Sequence, residues 1–189
     1  MVLPDNGIHM ETGEVRNAGI PRKDLDPLYI RVYFPRPFEK PPVVRCWFKS
    51  IEFGGPRIQD YFSLRTFPTN IEADSFTVAI EPWANRGFVS ASVGWFAYDQ
   101  KAHGNQIRSD TVKLMRNDPD SFTLDWKADP FPKKPSQFIS ICEFDMNGTL
   151  FTHVHTNNDS ISSDGATFTL GRWDELADMD HIIGSYIVM

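Results

Sequence analysis

Phe76-Thr77-Val78-Ala79-Ile80-Glu81-Pro82-Trp83 is written twice in this chain: about 90 residues later Phe168-Thr169-Leu170-Gly171-Arg172-Trp173 follows the same plan. Each version is a short apolar run with β-branched and aromatic residues that closes on a tryptophan, which reads as a strand and its end. Working outward, the flanks repeat too. Pro37-Phe38 and Pro41-Pro42, Ile51-Glu52-Phe53, and Ser92-Val93-Gly94-Trp95-Phe96 in the first half are answered by Pro130-Phe131 and Pro135, Phe144-Asp145-Met146, and Ser185-Tyr186-Ile187-Val188 in the second. Gly13-Glu14-Val15-Arg16 is matched by Gly104-Asn105-Gln106-Ile107-Arg108. A period of this length suits a small domain duplicated in tandem better than a thin solenoid unit.

The runs Tyr29–Phe34, Val43–Phe48 and Phe62–Phe67 alternate apolar and polar residues, and Phe76–Ile80 and Val89–Phe96 add two more strands. With one near Gly13–Arg16, each repeat offers about six. No helical pattern is long enough for a crossover, so the strands are expected to be antiparallel. The expected fold is all-β: two six-stranded antiparallel β-sandwiches in tandem, residues 1–99 and 104–189, divided at the polar stretch after Tyr98. Phe38, Phe76, Trp95, Phe131 and Phe168 are expected to face the cores.

Composition narrows the function. The chain has 189 residues with 41% hydrophobic and 23% charged, which is ordinary for a globular protein. Lys and Arg number 19 against 25 Asp and Glu, a net charge of −6, with no basic run to follow a phosphate backbone, so nucleic acid is not an expected partner. No apolar segment has the length of a membrane span, and Met1-Val2-Leu3-Pro4-Asp5-Asn6 lacks the pattern of a secretory signal. The expected location is cytoplasmic, or secreted without a classical signal peptide. Cys46 and Cys142 occupy different places in their repeats and read as buried small hydrophobes. No phosphate loop, dinucleotide fingerprint or nucleophile motif is present, and Gly54-Gly55-Pro56 reads as a turn. Neither a cofactor nor a metal is expected, and the protein is not expected to be an enzyme.

The ordered set of a Pro-Phe pair, a proline turn, an apolar-acidic pair, a Phe-Thr strand, a Trp and a Ser followed by an aromatic resembles the H-type lectin domain. The resemblance is clear over residues 11–98 and looser over 104–189. It implies a six-stranded antiparallel sandwich, assembly as a homotrimer, and multivalent, non-catalytic binding of galactose-type sugars, N-acetylgalactosamine above all. The implied partners are glycans or glycoproteins. Its sites lie between neighbouring sandwiches, one contributing an aspartate and an arginine and the next a tryptophan with the residue after it.

Carried over by position, the aspartate is Asp24 and the tryptophans are Trp83 and Trp173. An indole covers the apolar face of a pyranose while a carboxylate accepts its hydroxyls. The family's arginine falls on Ser63 in the first repeat and His155 in the second, with His153 two positions away. Arg65 shares a strand face with Ser63 because side chains alternate, and Asn85 is a further candidate. The residue after Trp173 is Asp174. Two other readings compete with the lectin. One is an assembly or adhesion scaffold that keeps the sandwich and has lost the sugar site; the other is a metal-dependent hydrolase built on His153 and His155, whose side chains would share one strand face.

Overall fold

The computed structural model describes residues 8–17, 26–53, 61–83, 88–104, 106–115, 118–119, 121–147, 154–172 and 178–189; for residues 61, 146–147, 154–159, 171–172 and 178–179 only the backbone is described. The first half carries β1 (Met10–Arg16), β2 (Leu28–Tyr33), β3 (Val43–Phe53), β4 (Tyr61–Thr69), β5 (Ser75–Pro82) and β6 (Phe88–Tyr98). The second carries β7 (Arg108–Met115), β8 (Ser121–Asp125), β9 (Gln137–Asn147), β10 (Val154–Ile161), β11 (Gly165–Arg172) and β12 (Asp178–Val188). Between them lies a single 3-10 turn, Gln100–Ala102, and no α-helix occurs among the described residues. The protein is all-β.

Among the described residues every strand pair is antiparallel, in three sheets ordered β1-β6-β3, β2-β5-β4-β9-β12-β7 and β10-β11-β8. The order β1-β6-β3 returns in the second half as β7-β12-β9, and β2-β5-β4 returns as β8-β11-β10. Local bonds recur with it. Phe34 and Phe38 donate their amides to Asp74 and Ala73, and Trp126 and Phe131 donate theirs to Asp164 and Ser163. The turns themselves close alike, Glu72 to Ser75 and Ser162 to Gly165. Just before the first of these turns, at the end of β4, Asn70 has φ 47°, a left-handed conformation that asparagine tolerates better than most residues.

β4 and β9 join the halves by pairing Tyr61–Arg65 with Asn147–Glu143, so one sheet runs through both. The core follows it. Phe34, Phe38, Leu64, Phe76, Val78 and Trp95 belong to one apolar cluster with Leu114, Phe144, Leu170 and Ile182 of the second half. A second cluster gathers Trp126, Phe131, Ile139, Phe168 and Val188. A third packs Phe96 and Tyr98 against Ile107 and Ile187, with Trp47 against Phe138 at 4.7 Å between ring centres. All five aromatic residues expected inside, Phe38, Phe76, Trp95, Phe131 and Phe168, are buried. Cys46 and Cys142 are buried free thiols.

Candidate functional site

The face of the six-stranded sheet opposite Leu64, Phe144 and Ile182 holds a polar patch built row by row from strand register. Leu64 is fully buried in the core, so its neighbours Ser63 and Arg65 point the other way. Ser63 stands opposite Asp145, and Asp145 opposite His181. One row on, Arg65 lies between Glu81 of β5 and Glu143 of β9. Trp83 follows the end of β5, its amide 3.3 Å from the Ser63 carbonyl.

Trp83 and His181 come from strands three spacings apart, about 14 Å, yet their rings lie nearly parallel (9°) with centres 6.4 Å apart. The side chains therefore reach toward one another across β4 and β9, and Ser63 of β4 has no exposed surface. Its hydroxyl donates to the Asp145 carboxylate. The Arg65 guanidinium sits 5.8 Å from the Trp83 ring and makes a forked contact with Glu81, 2.8 Å from Nε and 2.6 Å from a terminal nitrogen. Tyr29 donates its hydroxyl to the other Glu81 oxygen at 3.0 Å, a bond that raises the phenol's pKa. His181 Nε2 lies 2.9 Å from Glu143, and Nδ1 lies 3.4 Å from Asp180.

Among the described residues the patch carries one guanidinium and four carboxylates, those of Glu81, Glu143, Asp145 and Asp180. Such a surface disfavours anionic ligands and offers acceptors to hydroxyls. Trp83, 38% exposed, gives it an apolar wall, and Tyr29 and Tyr33 extend exposed aromatic surface along β2.

Of the residues singled out from the sequence, Ser63, Arg65 and Trp83 are brought together here. Asp24, Asn85, His153, Trp173 and Asp174 lie outside the described residues, and His155 is described by its backbone on β10 alone. His181, Glu143, Asp180 and Glu81 were not selected from the sequence. They join the patch through the β4–β9 pairing and through strand irregularities, neither of which leaves a local pattern. In the second half Asp118 accepts the Met115 amide at 2.8 Å and closes a turn.

Residues 30–98 match the model of the H-type lectin domain. That segment runs from β2 to the end of β6 and contains Ser63, Arg65, Glu81 and Trp83; the second half lies outside it. The match points to a carbohydrate-binding lectin, a family that is non-catalytic in general. No curated protein and no solved structure gives a significant match.

Proposed function

We propose that the protein is a multivalent, non-catalytic lectin for galactose and N-acetylgalactosamine-type glycans. Its two halves, residues 1–99 and 104–189, are read as H-type sandwiches of six strands each, the second more divergent, and the assembly as a trimer that serves adhesion to glycoproteins. The observation that carries the reading is the half-exposed Trp83 indole, set beside Arg65 and Glu81 within the segment that matches the family. An aromatic wall next to charged hydrogen-bonding groups is what a pyranose with one apolar face and several hydroxyls requires.

The first half is proposed as the binding copy. A glycan array probed with the purified chain should show saturable binding that free N-acetylgalactosamine or galactose competes away. Trp83→Ala, with fold and oligomer size retained, should abolish it, and Trp173→Ala should leave it nearly intact. Equal losses, or a larger loss from Trp173→Ala, would show that the second half binds. Light scattering should return three chains per particle; a monomer mass at micromolar concentration would remove the trimer.

One observation favours the scaffold instead. Arg65 is already forked onto Glu81 and the Ser63 hydroxyl is already donated to Asp145. A sugar must compete with those internal bonds, and each bond is worth only about 1 kcal/mol net. An array with no saturable signal for any neutral glycan would establish the scaffold reading.

A further inference from the structure

Asp145, Asp180 and His181 each present one ligand atom within 4.8 Å of the others. Strand alternation alone would not allow this, since Asp180 and His181 are consecutive and would point to opposite faces. The register explains it. Met179 stands opposite Met146 and His181 opposite Asp145, so Asp180 is the extra residue of a β-bulge. A bulge sets two residues of one strand against one of its neighbour and re-aims a side chain. Here the three groups converge from two hydrogen-bonded strands.

The imidazole is oriented from behind. A carboxylate only accepts, so Glu143 at 2.9 Å fixes a proton on His181 Nε2. The ring's other nitrogen, Nδ1, faces the Asp180 carboxylate 3.4 Å away. Either a proton on Nδ1 or a metal ion between the two groups satisfies both, and Asp145 converges on the same point. Histidine metal ligands are held in this manner, with the second ring nitrogen donating to a carboxylate.

We propose that Asp145, Asp180 and His181 form a binding site for a divalent cation of the zinc class, with Glu143 as the carboxylate that orients His181. One nitrogen and two carboxylate ligands match that class, whereas calcium and magnesium take six or more oxygen ligands. Two carboxylates balance the ion's charge. Three protein ligands leave a fourth tetrahedral position open to solvent or to a bound molecule. Because the Trp83 ring lies parallel to that of His181, the ion would sit beside the aromatic wall of the patch. The site stands on its own residues and does not depend on the lectin reading.

The test uses the full chain, stripped with a chelator and titrated with zinc chloride by calorimetry in a non-coordinating buffer without sugar. One zinc per chain with micromolar or tighter affinity is expected, together with a rise in Tm on saturation. Asp180→Asn should weaken uptake tenfold or more; its side chain is 73% exposed, so the fold should tolerate the change. His181→Gln should do the same, with circular dichroism confirming its fold. No saturable uptake below millimolar zinc would overturn the proposal and leave a proton on Nδ1 as the partner of Asp180. Parent-like binding by a folded Asp180→Asn would overturn it as well, since the metal would then be held elsewhere.

Discussion

Ser63 and Arg65 show how two residues apart on one strand are put to different uses. The first is fully buried and binds a carboxylate, while the second stays half exposed and is gripped by Glu81. The thiols are an extreme of burial at the same scale. Loss of water pushes Cys142 up to about 12, with Glu143 adding to the shift, and burial raises Cys46 in the same direction with Cys142 adding to it. Neither is therefore a thiolate at neutral pH. A thiol reagent at pH 8 should leave the native chain unmodified and label both cysteines only in denaturant; rapid labelling of the folded protein would contradict the burial. The sign for stability follows. The folded state holds these protons more tightly than the unfolded chain, whose thiols titrate near 9.0. Stability present below that pH is lost as pH climbs toward 12, by at most about 1.4 kcal/mol per pH unit for each thiol. Burial raises the phenols of Tyr98 and Tyr186 too, and they act in the same direction. A Cys46→Ala/Cys142→Ala double variant should lose less stability than the parent between pH 8 and pH 10; equal losses would assign the effect to the tyrosines.

Two glycines of the first half's three-stranded sheet lie under tryptophans of the neighbouring strand. A Cβ on Gly13 would stand 2.5 Å from the Trp95 ring, and one on Gly94 would stand 2.6 Å from Trp47 Nε1. Trp95 fills the core, whereas Trp47 meets Phe138 across the halves. Gly94→Ala must push Trp47 toward Phe138 at a cost of about 1–3 kcal/mol, the usual range for overpacking. If the clash is transmitted this way, Phe138→Ala gives the indole room and the cost of Gly94→Ala falls in that background. A urea double-mutant cycle reads this directly, and strict additivity would show that Trp47 does not carry the strain. The elements themselves were legible. Alternation placed Tyr29–Phe34, Val43–Phe48 and Phe62–Phe67 where β2, β3 and β4 run, because an exposed face and a core face impose a period of two; Phe76–Ile80 and Val89–Phe96 were legible as short apolar runs, and β5 and β6 are buried almost throughout. What the sequence concealed was pairing between distant strands. The bulge at Asp180 and the seam of β4 with β9 are settled by packing, so His181, Asp180 and Glu143 carried no signal, whereas Ser63, Arg65 and Trp83 could be found by position and strand face.

At the scale of the molecule, the repetition of strand order coexists with physical continuity. β4 and β9 form hydrogen bonds along Tyr61–Arg65, and Phe34, Leu64 and Val78 share a core cluster with Phe144, Leu170 and Ile182. Unfolding one half alone would strip the partner from a sheet edge and expose apolar surface at about 25 cal/mol per Å², besides freeing the contacts of Trp47 with Phe138 and of Arg45 with Ser109. Arg45 donates to the Ser109 hydroxyl at 3.0 Å and to its carbonyl at 2.7 Å, and Tyr98 reaches the same hydroxyl at 2.8 Å. These bonds tie β3 and β6 to β7. The expected thermal unfolding is therefore a single cooperative transition for the full chain, with calorimetric and van't Hoff enthalpies in agreement. Arg45→Ala should lower Tm for the whole molecule instead of splitting the endotherm, since it weakens the join without giving either half a complete core. Two resolved transitions in the parent chain would contradict this coupling and show that the repeated halves retain independent stability.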